Sequence, residues 1–247
     1  MKPCLLILAL LLVFGNLRAQ QNLFNIPSGD ITKKGKAFYQ HQLNFYQLNE
    51  LESKSHVVVG LGKGWDAGVN LVDLPLRIGN SAVLAYNDNS ARKPLYPLAM
   101  LTLQKQFVLG KKTRLNLGTQ AGPNITSRVQ NKRMAFFNYA ILKTKLFDRI
   151  HWVIGPYHTD NTFVGREQHQ VGVIAGYEWP LTRRFSLMGD FISGRHKKAQ
   201  TTFGGLYTIN PRVQICMAAL IDYPHGQANH GVVLELNLFG WDLEPHH

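Results

Sequence analysis

Few side chains in this sequence could do chemistry, and their spacing narrows what that chemistry could be. Ser186 and Asp190 lie four residues apart in FSLMGDFI. In an extended run the period of two puts both on one face. Serine and a carboxylate are two parts of a hydrolytic triad, which also needs an imidazole to take the serine proton. The sequence places no histidine beside them. Glu178 falls on the matching face of the preceding run. Two close carboxylates can share a proton and act as general acid and base. They can equally pair with Arg114, Arg184 or Arg212, and that structural pairing is the expectation. Asn116 and Glu235 complete a set of seven polar residues on the corresponding faces of their runs.

The ten histidines are scattered. His225 and His230 flank Gly226 in a loop, and His246-His247 end the chain. Metal binding requires imidazoles that converge on one ion, and this spacing does not supply that. No GxSxG, HExxH, phosphate-binding loop or CxxC occurs. No catalytic residue, metal or other cofactor is expected.

The elements that must position these residues are strands. Period-two alternation marks twelve segments: 37–49, 55–62, 65–72, 97–109, 112–121, 134–147, 150–158, 169–179, 184–194, 202–209, 212–221 and 231–239. In 169–179, for example, Val171, Val173, Ala175, Tyr177 and Trp179 oppose Gln170, Gly172, Gly176 and Glu178. The connections run 5, 2, 24, 2, 12, 2, 10, 4, 7, 2 and 9 residues, so every second one is short. The short ones are Lys63-Gly64, Gly110-Lys111, Asp148-Arg149, Pro180 to Arg183 and Asn210-Pro211, and most carry the residues of tight hairpins.

Short turns at one end and long loops at the other, on an even number of antiparallel strands, describe a transmembrane β-barrel. A sheet in lipid must close so that no backbone edge goes unpaired. Aromatics near the strand ends, Trp65, Trp152, Tyr177, Trp179, Tyr207 and Phe239, fit interfacial girdles. The expectation is an all-β fold, a closed antiparallel up-and-down transmembrane β-barrel of about 12 strands over 37–239, with a C-terminal tail at 240–247. The stretch 73–96 becomes an outer loop, or one folded back into the lumen. The seven polar residues Arg114, Asn116, Glu178, Arg184, Asp190, Arg212 and Glu235 are then lumen-lining candidates.

The chain ends and the composition agree with that destination. Lys2, the ten apolar residues Leu5 to Phe14 and Leu17-Arg18-Ala19 have the layout of a secretory signal peptide over 1–19. Residues 20–36, with Pro27, Gly29 and Gly35, are expected as a periplasmic N-terminal segment without regular structure. Without Lys2 and Arg18 the net charge falls from +12 to about +10, and Cys216 is the only cysteine left, so no intrachain disulfide is available. The basic balance suits an anionic lipid surface or anionic solutes, and nucleic acid is not an expected partner for an exported chain without a binding motif.

Three stretches, NLFNIPSGDITKKGKAFYQHQLNF (22–45), GLGKGWDAGVNL (60–71) and GDFISG (189–194), together resemble Gram-negative outer-membrane β-barrel proteins. Within that group they look like the transporter-like barrels of the phenol meta-pathway type. The resemblance covers most of the mature chain in layout, through strand and turn patterns rather than catalytic signatures. It implies a location in the cell outer membrane of a Gram-negative bacterium, contact with outer-membrane lipid, and passive transport of small solutes. Other readings stay open. The barrel could present basic outer loops to a ligand or partner, act as a membrane-embedded hydrolase, or be a secreted soluble β-protein with the same side chains buried between two sheets.

Overall fold

The computed structural model describes residues 22–46, 50–78, 83–85, 96–125, 133–165, 168–222 and 229–242. The strands are β1 (Lys36–Phe45), β2 (Glu50–Gly62), β3 (Trp65–Ile78), β4 (Val83–Ala85), β5 (Leu98–Val108), β6 (Arg114–Pro123) and β7 (Met134–Leu146). They continue as β8 (Ile150–Thr159), β9 (Val171–Pro180), β10 (Phe185–Ile192), β11 (Thr201–Asn210), β12 (Val213–Ile221) and β13 (Gly231–Asp242). One helical turn, α1 (Asn161–Val164), follows β8.

Each strand pairs antiparallel with its sequence neighbour, save that β5 pairs with β3. β1 pairs with both β2 and β13, and β2 also with β3, so twelve strands close into a barrel. β4 pairs only with Leu76, Arg77 and Ile78 at the far end of β3, outside the closed wall. Closure removes every sheet edge, which hydrocarbon requires because it offers no partner for a free N–H or C=O.

The wall runs from Lys36 to Asp242, because Lys36 and Asp242 are themselves register partners. It therefore takes in three residues of the expected tail. Strand β3 likewise reaches six residues past its expected end. Asp73 takes a positive φ of 52°, a one-residue irregularity that lets the pairing with β2 resume at Leu74. The expected 73–96 loop is thus strand as far as Ile78. The rest of it, apart from β4 and Tyr96, lies outside the described residues, as do the expected signal segment and His225.

The reversals differ sharply at the two ends. At one end the strands are joined by turns such as Lys63-Gly64, whose φ values of 50° and 78° are those of a type I′ hairpin. Phe147-Asp148, at 50° and 57°, repeats the arrangement. At the other end the connections are long, and two described stretches of them, 160–165 and 193–200, turn inward over the barrel mouth.

Side chains alternate as the strands dictate. Leu101, Val69, Ile154, Val171, Met217 and Leu234 point outward, Leu101 with 69 % of its surface exposed. On a water-soluble chain so continuous an apolar belt would be a gross exposed patch. In lipid it is the required outer surface. Trp65, Trp152, Tyr177, Trp179 and Tyr207 ring the short-turn rim on that outer face, with Trp152 and Tyr177 5.8 Å apart. Phe239 was expected among them. It points inward instead and packs at 5.0 Å on Phe38, because it shares the face of Glu235 and Asn237. The molecule is a closed up-and-down β-barrel whose outer surface suits lipid.

Candidate functional site

The lumen has two unlike walls. On β7 to β12 the inward positions are largely apolar: Phe137, Ile141, Val153, Ile174, Met188 and Leu220 among them. On β1, β2, β3, β5 and β6 they are largely polar, with Gln40, Gln42, Asn44, Asn70, Gln104 and Asn116 buried.

Between the walls lies residues 22–35, the segment expected to hang in the periplasm. It is a plug inside the barrel. It leaves the head of β1 at the short-turn end, where Gly35 N–H donates to Gly60 O at 3.1 Å. A side chain at Gly60 would have its Cβ 2.0 Å from Lys33 O, so only glycine admits the plug there. Further along the plug, Gln106 Nε2 donates to Gly29 O (2.7 Å) and Gln104 Nε2 to Asp30 O (3.1 Å). Lys143 pairs with Asp30 at 2.5 Å, and Thr32 N–H donates to Asp66 Oδ2 at 3.2 Å. Gln104, Gln106 and Asp66, all on the polar wall, satisfy backbone groups that irregular chain would otherwise leave bare.

The tip of the plug is a tight turn, with Leu23 N–H donating to Ile26 O at 2.9 Å. Leu23, Phe24 and Ile26 enter the apolar wall, Phe24 with 2 % of its surface exposed. Between them Asn25 faces the polar groups. Its N–H donates to Asp190 Oδ2 (2.5 Å), its Nδ2 to Thr202 Oγ1 (2.9 Å), and its Oδ1 accepts from Lys54 Nζ (3.0 Å) and Gln42 Nε2 (3.2 Å). Asn25 thus bridges polar groups of both walls while Leu23, Phe24 and Ile26 stay in the apolar cluster.

A strap closes the other side. Residues 193–200 join β10 to β11, nearly opposite β2 and β3 around the closed ring. Lys198 forms an ion pair with Asp73, whose side chain has 0 % exposure, and Lys197 forms one with Glu52. Lys54 lies 3.7 Å from Asp73, and Lys198 lies 3.9 Å from Glu52 and 4.7 Å from the Tyr96 ring. The strap is anchored at its root as well. Lys198 N–H donates to His196 Nδ1 (3.2 Å), which leaves His196 Nε2–H to donate to Tyr157 Oη (2.7 Å), and Tyr157 Oη–H donates to Ser193 O (2.5 Å). Each buried ion here is costly alone and is tolerated because it is paired with an opposite charge. Beside the strap, α1 brings Phe163 to 5.4 Å from Phe137. Plug, strap and α1 enclose a cavity of about 120 Å³.

The seven expected lumen-lining residues divide. Asn116 has no exposed surface and receives Gln106 Nε2 at 3.3 Å. Asp190 holds the plug, Glu235 accepts from Asn237 Nδ2 at 2.7 Å, and Glu178 accepts from Ser186 Oγ at 3.1 Å. Arg114 starts β6 but turns back to Gly110 O (2.5 Å) and Thr113 O (3.0 Å) at the rim. Arg184 and Arg212 are exposed in the turns before β10 and β12, not in the lumen, because those strands begin one residue later. The expected pairing of Asp190 and Glu178 with these arginines is replaced by Asn25 and Ser186. The sequence reading missed Lys54, Asp73 and Lys198, and also His151, which stands opposite Glu178 in the β8–β9 register. Their signal was weak: Asp73 and Lys198 fell in stretches taken as loops.

No protein-family model matches the chain, and no curated protein matches it. Solved structures do. The KdgM porin, solved with disordered oligogalacturonate, is similar with a TM-score of 0.51 at 6 % identity over 83 % of this chain and 98 % of that one. The outer-membrane phospholipase A of Escherichia coli gives 0.49 at 11 % identity over 92 % and 96 %. The toluene transporter TbuX of Ralstonia pickettii gives 0.41 at 7 % over 91 % and 96 %. At such identities the KdgM likeness speaks for the barrel fold alone.

Proposed function

We propose that this chain is an exported outer-membrane barrel for passive passage of small solutes, whose lumen is gated by its own N-terminal segment. The observation that carries the reading is the plug. A side chain filling a lumen belongs to the wall and cannot leave, whereas residues 22–32 are tied to the wall by side-chain contacts, with backbone pairing to it, among the described residues, only at Lys34 and Gly35, and can leave as a unit. Asn25 is the latch, since it joins Asp190 and Thr202 on one side of the lumen to Gln42 and Lys54 on the other. In this reading residues 1–19 direct export, and Asn116, Glu178, Asp190 and Glu235 line the path that opens. The transporter-like barrels of the phenol meta-pathway type fit this layout, as does a porin that takes oligogalacturonate.

The reading is non-enzymatic. Ser186 Oγ gives its hydrogen to Glu178, and among the described residues no imidazole is bonded to it, so the serine–imidazole pair of a hydrolytic triad is not assembled. Ser186 also lies on the buried inner face of β10, away from lipid.

A reversible tether tests the gate. Asn25→Cys with Thr202→Cys, in a Cys216→Ala background, places two thiols where the side chains now touch at 2.9 Å. In planar bilayers the oxidised protein should be silent and the reduced protein should conduct. Conductance indifferent to the tether, or none in the reduced state even after Phe24→Ala, overturns the proposal.

A further inference from the structure

We propose that the cavity between plug and strap is a binding station for a small hydroxylated carboxylate, a sugar acid in chemical class. This rests on the transport reading and names the solute class for the same lumen.

The lining has an unusual balance. Seven of its side chains are amides (Asn22, Asn25, Gln40, Gln42, Asn70, Gln120, Gln200), and its only full charges are Lys54 and Lys198. No carboxylate lines it. Asp73 and Glu52, which answer the lysines, stand behind them and do not reach the cavity. An ammonium group has three hydrogens to give. Lys54 directs its own toward Asn25 Oδ1 and Asp73, and the cavity faces the same group. A carboxylate entering there meets two cations before it meets any anion.

The amides specify more than charge. An amide offers a donor and an acceptor side by side, the pair that a sugar hydroxyl uses. Asn70 has 5 % of its surface exposed, and its Nδ2 donates to Gln120 Oε1 at 2.9 Å. Among the described residues its Oδ1 has no partner, nor has His56 Nε2 beside it. A buried polar atom left bare is costly, and a solute hydroxyl would relieve both. Phe24, Phe137 and Phe163 also line the cavity and give it apolar surface against which the C–H side of a pyranose can lie. A plain fatty acid would leave the amides bare. An uncharged sugar would leave the lysines without a new partner.

Equilibrium binding to the purified full chain in detergent needs no flux, so it tests the site apart from the channel. The probes are D-glucuronate, D-glucose and pentanoate, followed by titration calorimetry. Glucuronate should bind roughly tenfold or more tightly than either of the others, as a charge-assisted contact added to neutral ones implies. Lys54→Met and Lys198→Met should bring glucuronate down to the level of glucose, and Asn70→Leu down to the level of pentanoate. Lys198→Arg keeps the strap's charge and should bind, which separates lost recognition from a lost strap. Heat-modifiable migration on a gel shows that each variant folds. Equal binding of the three probes, or glucuronate binding unchanged by both Lys→Met variants, overturns the proposal. Intact selective binding in a protein that never conducts overturns the channel reading alone.

Discussion

The two walls of the lumen hold the same plug by different forces. The β7 to β12 wall takes Leu23, Phe24 and Ile26 into an apolar cluster with Ile174, Met188 and Leu206. That contact is strong, without direction, and indifferent to which atoms meet. The opposite wall takes Asn25, Gly29, Asp30 and Thr32 by hydrogen bonds from Gln42, Lys54, Gln104 and Gln106, and to Asp66, while Asp190, Thr202 and Lys143 add polar contacts from the first wall. Those contacts are individually modest and directional. One wall therefore supplies most of the plug's affinity, and the other sets where it stops. A solute that competes for polar groups can loosen the second without disturbing the first.

Three changes would break or sharpen this contrast. The largest effect is expected from Phe24→Ala, which removes the buried ring and should weaken plug seating by about 3–5 kcal/mol. Open probability in planar bilayers should rise steeply, while barrel stability, read as heat-modifiable migration, stays unchanged. An unchanged open probability would mean the apolar wall does not hold the plug.

Asn25→Ala should act less strongly, by about 1–3 kcal/mol, since the backbone N–H to Asp190 survives while three side-chain bonds go. Its signature should be a plug seated at the wrong depth, seen as several subconductance levels. A single level identical to that of the native protein would refute the positioning role.

The smallest effect concerns pH and the strap over the apolar wall. Burial, with Lys198 and His169 adding to it, holds His196 at about 4, against an ordinary 6.5. Its neutral ring accepts Lys198 N–H and donates to Tyr157, and a second ring proton would face the Lys198 N–H. Below about 6.5 the unfolded strap takes a proton that the folded strap refuses until about 4. The stabilisation is whole above that window and declines as pH falls through it. Hydrogen exchange in 193–200, corrected for intrinsic rate, should therefore quicken between pH 6.5 and 4, and His196→Gln should flatten the trend. Equal slopes in both proteins would discard the imidazole as the cause.

Much of the wall is legible in the sequence. Val171, Val173, Ala175, Tyr177 and Trp179 share a face because strand geometry makes them do so, whatever lies around them. Lys63-Gly64 reverses the chain because few other residue pairs accept two positive φ values. What fills the wall is not legible in this way. NLFNIPSGD has no period, and its Pro27, Gly29 and Gly35 read as irregular chain, which it is. That it is irregular inside the barrel depends on Gly60, Asp190 and Lys143, between 25 and 165 residues away in sequence from their partners. The arginines show the same limit on a smaller scale. Alternation assigned Arg184 and Arg212 to the inner face, but a strand that starts one residue later leaves them in the turn, where solvent takes their charge.

The sequence by itself determined a closed sheet, its two faces and its two unlike rims, because alternation and turn chemistry act between near neighbours. Only the tertiary structure decided that the lumen is stoppered, strapped and split into an apolar and a polar wall. Those features arise where residues remote in the chain converge, and no local pattern records which distant side chains will share a cavity.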